Sequence, residues 1–175
     1  MNIRCRENLE IQIYHHPHYQ SLNEKLMDDF SKLDFTNYNP SYKYSSIKGS
    51  KFSFSEHDSS MKPRGVTLIE NWVEQIIKDK IKCLFHFNFN TWAARLDRGQ
   101  ETIEHDHLYF ASFAFVYFVN TPIGASPLVF TTSGKKIKAK PGKLALFPSS
   151  LKHKVPTNKC DKRITIASNI TITEM

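Results

Sequence analysis

Phe85-His86-Phe87-Asn88-Phe89-Asn90 decides how the rest of this chain is read. Phenylalanine stands at every second position with a polar residue between, so one side of an extended backbone is aromatic and the other meets water. That is a half-buried strand, and it marks a change of period. Upstream, apolar residues recur every three or four positions; from about residue 83 onward they recur every two.

Toward the C terminus the same reading predicts strands over 92–97, 103–109, 112–119, 127–131, 135–139, 143–147, 153–156 and 163–172. Turn signals punctuate them at Arg98-Gly99, Pro122 to Gly124, Ser133-Gly134 and Pro141-Gly142. Many short strands without helices between them argue for a sandwich or barrel and against β-α-β units. Toward the N terminus, Leu22, Leu26, Met27, Phe30 and Leu33 predict an amphipathic helix over 19–33. Leu68, Ile69, Trp72, Val73, Ile76 and Ile77 predict a second over 66–81. Residues 34–64, with Asn39-Pro40, Gly49-Ser50 and Pro63, read as an irregular connection. The expectation is a mainly β fold with flanking α in a single domain spanning 1–175. Its N-terminal helical and irregular layer (1–82) braces an all-β body (83–175).

Composition fits a globular protein. Of 175 residues 40% are hydrophobic and 13% aromatic, enough for a core without disulfides. No stretch approaches the roughly 18–20 apolar residues of a membrane span, and the first thirty residues are too polar for a signal peptide, which predicts a soluble, cytoplasmic protein with no membrane partner. Cys5, Cys83 and Cys160 are odd in number and lack C-x-x-C spacing, so neither a disulfide framework nor a thiolate zinc site is expected. The net charge of +7 raises the question of nucleic acid. The cations are spread along the chain, however, and the densest run, Lys135-Lys136-Ile137-Lys138-Ala139-Lys140, alternates like the solvated face of a strand. Nucleic acid is therefore not the expected partner.

Glu104-His105-Asp106-His107 is the segment that carries chemistry. On a strand His105 and His107 share one face and Asp106 the other, and imidazoles about 6–7 Å apart along a strand can lean toward one ion. His153 supplies a third imidazole if the fold returns it to the pair. Arg163 opens Arg-Ile-Thr-Ile-Ala-Ser-Asn, where Arg163, Thr165 and Ala167 share a face. A guanidinium with a hydroxyl two residues on is suited to gripping a carboxylate.

The order of these pieces resembles the 2-oxoglutarate- and Fe(II)-dependent oxygenases, most closely small bacterial and phage members. The resemblance covers residues 83–171. It runs through Trp92, Gly99, His105-Asp106-His107, Tyr117-Phe118-Val119, Gly142 to Pro148, His153, Val155-Pro156 and Arg163 to Asn169. It implies a double-stranded β-helix of the jelly-roll or cupin-like kind, with iron held by His105, His107 and His153. It also implies that Arg163 and Thr165 hold the far carboxylate of 2-oxoglutarate and that Trp92 and Tyr117 line the pocket. The implied reaction is an oxidation, a hydroxylation in the first instance, of a small-molecule or amino-acid-type substrate, with release of succinate and CO2. The departure is at the second ligand, where His107 stands in place of the usual carboxylate. Three imidazoles, Asp106 turned inward by a bulge, or water or Glu104 completing the sphere are the arrangements open to the sequence.

Two other classes fit the same residues. One is a cupin-type three-histidine metalloenzyme without 2-oxoglutarate, which Arg163 argues against; the other is a non-catalytic ligand-binding β-barrel. His15, His16 and His18 read as a surface cluster, and His57 and His86 as structural. Trp92 and Tyr117 could equally be barrel core, since strand aromatics usually are. Lys152 and Lys154 read as solvent-facing neighbours of an inward His153.

Overall fold

Leucine and phenylalanine four apart make the first helix, and branched aliphatics three and four apart make the second. In the computed structural model, which describes residues 9–37, 46–54, 61–81 and 85–174, Tyr19–Ser31 forms α1 and Arg64–Ile81 forms α2. α1 buries Leu22, Leu26 and Phe30; α2 buries Val66, Ile69, Val73 and Ile77. Both stripes face one sheet, as the periodicity predicts, and burial of each such side chain is worth about 1.5–3 kcal/mol. Pro63 precedes α2 and its carbonyl accepts from the amides of Val66 and Thr67, so the residue that cannot continue a helix backward starts one.

The strands are β1 (Gln12–His15), β2 (Thr36–Asn37), β3 (Ser50–Ser53), β4 (Phe85–Leu96) and β5 (Thr102–His105). After them come β6 (Phe113–Asn120), β7 (Leu128–Phe130), β8 (Lys136–Ile137), β9 (Lys143–Pro148), β10 (His153–Val155) and β11 (Arg163–Glu174). All pair antiparallel, in a seven-stranded sheet ordered β1-β9-β6-β11-β4-β3-β2 and a four-stranded sheet ordered β5-β10-β7-β8. Two facing sheets with helices outside the larger one make a double-stranded β-helix, the expected fold class.

Three boundaries differ from the sequence reading. The two strands expected over 85–97 are one, β4, because its unbroken partner β11 runs beside it from Arg163↔Leu96 to Glu174↔Phe85. The strand expected over 103–109 ends at His105, where the chain turns out of the ladder. The N-terminal third contributes more than helices: β1, β2 and β3 all join the larger sheet. β1 is a short edge strand and β2–β3 lies in what reads as a connection, so neither carries a long enough alternation to be seen. Parts of that connection, 38–45 and 55–60, lie outside the described residues, as do Cys5, His57 and Cys83.

Two cores result. One lies between the helices and the larger sheet, with Phe115, Tyr117, Ile164, Ile166 and Ile170 facing the helical stripes. The other lies between the sheets, around Leu96, Phe118, Leu128, Phe130 and Phe147. Polar groups tie the helices to the sheet. Asn23 of α1 accepts from the Tyr117 hydroxyl at 2.8 Å and donates to the Val119 carbonyl at 2.7 Å. Glu70 of α2, buried, receives Lys62 at 2.9 Å and the Thr91 hydroxyl at 2.6 Å.

Gly142 opens β9 with φ +78°, and a Cβ there would collide with the Cβ and Cγ of Tyr19. Its amide donates to Phe118 O and its carbonyl accepts from His16 N, so neither backbone side is free to move. Gly142→Ala combines left-handed strain with overpacking and is expected to cost at least about 2 kcal/mol. Denaturant titration checks this; an unchanged midpoint would mean that β1 and α1 are not docked as described.

Candidate metal centre and its cavity

The centre is built from two neighbouring strands and one loop. β5 and β10 pair antiparallel with His105 directly opposite His153, and residues opposite each other across a ladder project to the same face. His107 arrives by a different route. After His105 the chain leaves the ladder. Asp106 Oδ1 accepts from the Leu108 amide at 3.3 Å, and His107 O accepts from the amides of Phe110 and Ala111. That turn is why the strand stops early, and the His107 amide, donating to Ser149 O at 2.9 Å, holds the loop against the end of β9.

The three rings meet. Centroids are 4.3 Å apart for His105–His153, 4.9 Å for His105–His107 and 5.1 Å for His107–His153. One nitrogen from each lies within 4.8 Å of the others, close to the ~4 Å limit for donors sharing an ion at ~2 Å. Asp106 is engaged in its turn and Glu104 is exposed on the outer face. Neither belongs to the cluster, which among the described residues is purely imidazole.

Two of the rings are oriented by backbone. His105 Nδ1 sits 2.8 Å from Ile103 O and His153 Nδ1 sits 2.8 Å from Leu151 O. A carbonyl can only accept, so each Nδ1 carries the proton and each Nε2 keeps its lone pair, the arrangement that second-shell carbonyls give to metal-binding histidines. Phe147 packs edge-on against His153 at 4.9 Å. Burial, reinforced by the neighbouring His105, lowers the His153 pKa to about 3 and that of His107 to about 4; burial likewise lowers His105. All three are therefore neutral near pH 7 and able to donate to a cation.

Neutral imidazoles also make stability depend on pH. A histidine whose folded pKa lies below its unfolded value of about 6.5 favours the native state above that value. The advantage is lost as pH falls toward the folded pKa. The metal-free protein is expected to lose on the order of 3 kcal/mol between pH 6.5 and pH 4, and urea titrations across that range check it. A flat profile would mean that the imidazoles are already charged or solvated in the native state.

The cluster opens into a cavity of about 540 Å³, counting the space continuous with solvent, whose walls include Trp92, Leu128, Phe147, Val155, Arg163 and Thr165. Arg163 is 1% exposed. Its Nε donates to Ser126 O at 3.0 Å and its guanidinium lies 5.4 Å over the Phe118 ring. Nη2 is buried with no partner among the described residues. Burial lowers its pKa to about 10, so it remains cationic at neutral pH. A buried guanidinium facing no carboxylate costs several kcal/mol unless something anionic meets it. Trp92 Nε1 is a second buried donor without a partner among the described residues.

Of the residues singled out in the sequence, His105, His107, His153, Arg163, Thr165 and Trp92 all line this cavity. Tyr117 does not, which corrects its expected place in the pocket. It is on the helix-facing side of β6, donating to Asn23, and burial raises its pKa. Its neighbour Phe118 faces the cavity side and meets Arg163. The sequence could not settle that parity, because β6 is apolar on both faces. The sequence reading also missed Ser126 and Asn158. Asn158, 1% exposed, accepts from the Ser126 amide at 3.0 Å and donates to Leu96 O and Cys160 O, fixing the carbonyl that receives Arg163. Its only signal is a polar residue in a loop.

No family model matches the sequence, and none of the curated proteins does. Solved structures match over nearly the whole chain. The viral collagen prolyl hydroxylase vCPH of Paramecium bursaria Chlorella virus-1, as its 2-oxoglutarate complex, is similar with a TM-score of 0.69 and 17% identity, over 91% of this chain and 94% of that one. An oxidoreductase of the 2OG-Fe(II) oxygenase family from Burkholderia pseudomallei gives 0.63 and 10%, over 85% and 77%. HygX from Streptomyces hygroscopicus, with nickel, 2-oxoglutarate and hygromycin B bound, gives 0.65 and 10%, over 92% and 82%. The chain thus shares with these proteins a double-stranded β-helix fold.

Proposed function

We propose that this protein is an Fe(II)- and 2-oxoglutarate-dependent oxygenase. The observation that carries the proposal is the pairing, in one cavity, of three convergent neutral imidazoles with a buried arginine whose Nη2 has no protein partner among the described residues. His105, His107 and His153 would hold the iron, an all-nitrogen set in borderline territory between hard and soft donors. Arg163 would receive the far carboxylate of 2-oxoglutarate, with the Thr165 hydroxyl beside it. When bound, the iron would activate dioxygen, which is the oxidant: one oxygen atom would go into the cosubstrate as it becomes succinate and CO2, and the other into the substrate.

The chain's own work is orientation and exclusion of water. Ile103 O and Leu151 O fix two ring planes, and Ser126 O and Phe118 fix the guanidinium so that its free N–H points one way. Phe147, Leu128 and Val155 make the walls apolar, which strengthens every charge interaction within. A small-molecule or amino-acid-type group is the one oxidised in this reading. Two of the similar proteins are named for or solved with such groups, prolyl residues in one and hygromycin B in the other.

Aerobic incubation with Fe(II) and 2-oxoglutarate tests the reading. Succinate is expected to form, slowly and without added substrate, only when both are present. The absence of a carboxylate from the histidine cluster favours one second reading, a cupin-type three-histidine enzyme. That reading gains if iron binds tightly and 2-oxoglutarate neither binds nor is consumed.

A further inference from the structure

The smaller sheet turns its outer face to solvent, and apart from Glu104 on β5 the charge on its strands there is positive. Between His107 and Cys160 the sequence contains no Asp, Glu or Arg, and its charged side chains are all lysine. These residues are scattered in sequence, but the topology gathers them. The register pairs Lys154 of β10 with Val129 of β7, and Val129 with Lys136 of β8. Strand alternation, with His153 and Val155 buried, puts both lysines outward. Lys135 and Lys152 are exposed beside them, and Lys138 and Lys140 carry the patch toward β9. There Lys143 Nζ donates to Lys138 O at 2.9 Å.

Among the described residues none of these lysines has a carboxylate within ion-pair distance. Burial first, and then repulsion from Lys140 and Lys138, lowers the pKa of Lys143, as crowding of like charge requires. The acidic residues on this side of the molecule, Glu101, Glu104 and Asp106, sit on or next to β5, which pairs with β10 near Lys154 and lies at the opposite end of the sheet from β8. The positive charge is therefore least opposed over β7 and β8 and runs onto β10 at Lys152 and Lys154.

A second feature follows His107, which lines the cavity. Tyr109 and Phe110, just past His107, are 88% and 73% exposed. Their loop is not loose. The amides of Phe110 and Ala111 bond His107 O, and Phe110 O accepts from the Thr171 hydroxyl at 3.4 Å. The His107 amide ties the same loop to Ser149, three residues before Lys152. Two large rings are thus held out in water on a fixed support, next in the chain to the segment that leads from Ser149 to Lys152, an expensive placement unless something flat covers them.

We propose that the outer face of β10, β7 and β8, with Tyr109 and Phe110, docks single-stranded nucleic acid. The phosphates lie over the lysines, and bases stack on the two rings that follow His107. A charged track combined with unpaired aromatic faces is how strands are held without sequence readout. An acidic peptide would use the lysines and leave the rings without a role. An anionic bilayer would find nothing to take up along the lysine strands, where Ile137 and Ala139 are only partly exposed and pack toward the inter-sheet core; it could take up only the one exposed loop of Leu108, Tyr109 and Phe110, which is why vesicles are an arm of the test. The surface is separate from the imidazole cluster, so binding can be measured on the metal-free chain whether or not the oxygenase reading holds.

Fluorescence anisotropy with the whole metal-free protein and a labelled oligothymidylate tests it. Micromolar or tighter binding is expected at about 50 mM salt, with a steep loss by about 200 mM. The double variant K136S/K154S should reduce the slope of log affinity against log salt by roughly 1.4, about 0.7 for each phosphate that no longer meets a lysine. Y109S/F110S should weaken binding by about 5- to 150-fold for each base that can no longer stack, while leaving the slope unchanged. All four positions are on the surface, so folding is preserved. The proposal is overturned by absence of binding at low salt or by indifference to Y109S/F110S. Equal or tighter binding of polyglutamate or of phosphatidylserine vesicles would overturn it as well.

Discussion

Replacing Arg163 by methionine is expected to raise the 2-oxoglutarate concentration needed for half-saturation by about 100-fold while leaving bound iron unchanged. Truncating one partner of a buried, hydrogen-bonded charge pair costs about 2–5 kcal/mol, or roughly 30-fold to several thousand-fold in affinity. The guanidinium here is 1% exposed, with one amino group aimed at no protein acceptor among the described residues, so its removal falls well inside that range. Methionine fills most of the same volume against Phe118 and adapts to irregular space. The metal-free variant should therefore be as stable as the parent or more so, because a buried cation without a partner has been removed. A merely structural Arg163 would give the reverse: lost stability and lost iron together. Calorimetric titration of both ligands, with a melting curve for each protein, separates the two.

The second large effect is on the metal. His153→Leu keeps an apolar side chain of similar bulk between Phe147 and Phe130, whose rings lie 4.9 Å and 6.1 Å from the imidazole, and removes one donor of three. Loss of an outer-shell partner alone typically costs 10- to 100-fold in metal affinity, so loss of the ligand itself is expected to cost more than about 100-fold. Competition with a chromogenic chelator measures it. The fold should persist, because His153 is neutral and its replacement leaves no charge stranded. His107→Asp makes a useful contrast. With three neutral donors the ion keeps its full double charge beside Arg163, so an anionic cosubstrate should tighten metal binding more in the parent than in this variant.

How much of this could be read from residues alone depended on pattern length. The helical stripes of Leu22-Leu26-Phe30 and Ile69-Val73-Ile77, and the alternation of Phe87 and Phe89, each repeat often enough to fix an element and its buried face, although Leu68 of the expected second stripe is 47% exposed. His105, His107, His153 and Arg163 were legible because each sits beside a strong strand or turn signal. β1, β2 and β3 were not, being only four, two and four residues long. The side on which Tyr117 lies was ambiguous because both faces of β6 are buried. The path of His107 differs from the one expected. The expected strand alternation gives way to a turn capped by Asp106, and the long-range hydrogen bond to Ser149 does the positioning. The lysine face could not be seen at all in one dimension, since Lys136 and Lys154 become near neighbours only through pairing with Val129.

The central claim is that three imidazoles and one guanidinium hold an ion and a dicarboxylate in the same cavity. Anaerobic titration of the Fe(II)-loaded protein with 2-oxoglutarate tests it most directly. A visible metal-to-ligand charge-transfer band should grow to saturation at one equivalent, and in the Arg163→Met protein it should appear only at far higher concentration. An iron-loaded protein whose spectrum does not respond to 2-oxoglutarate would contradict the account.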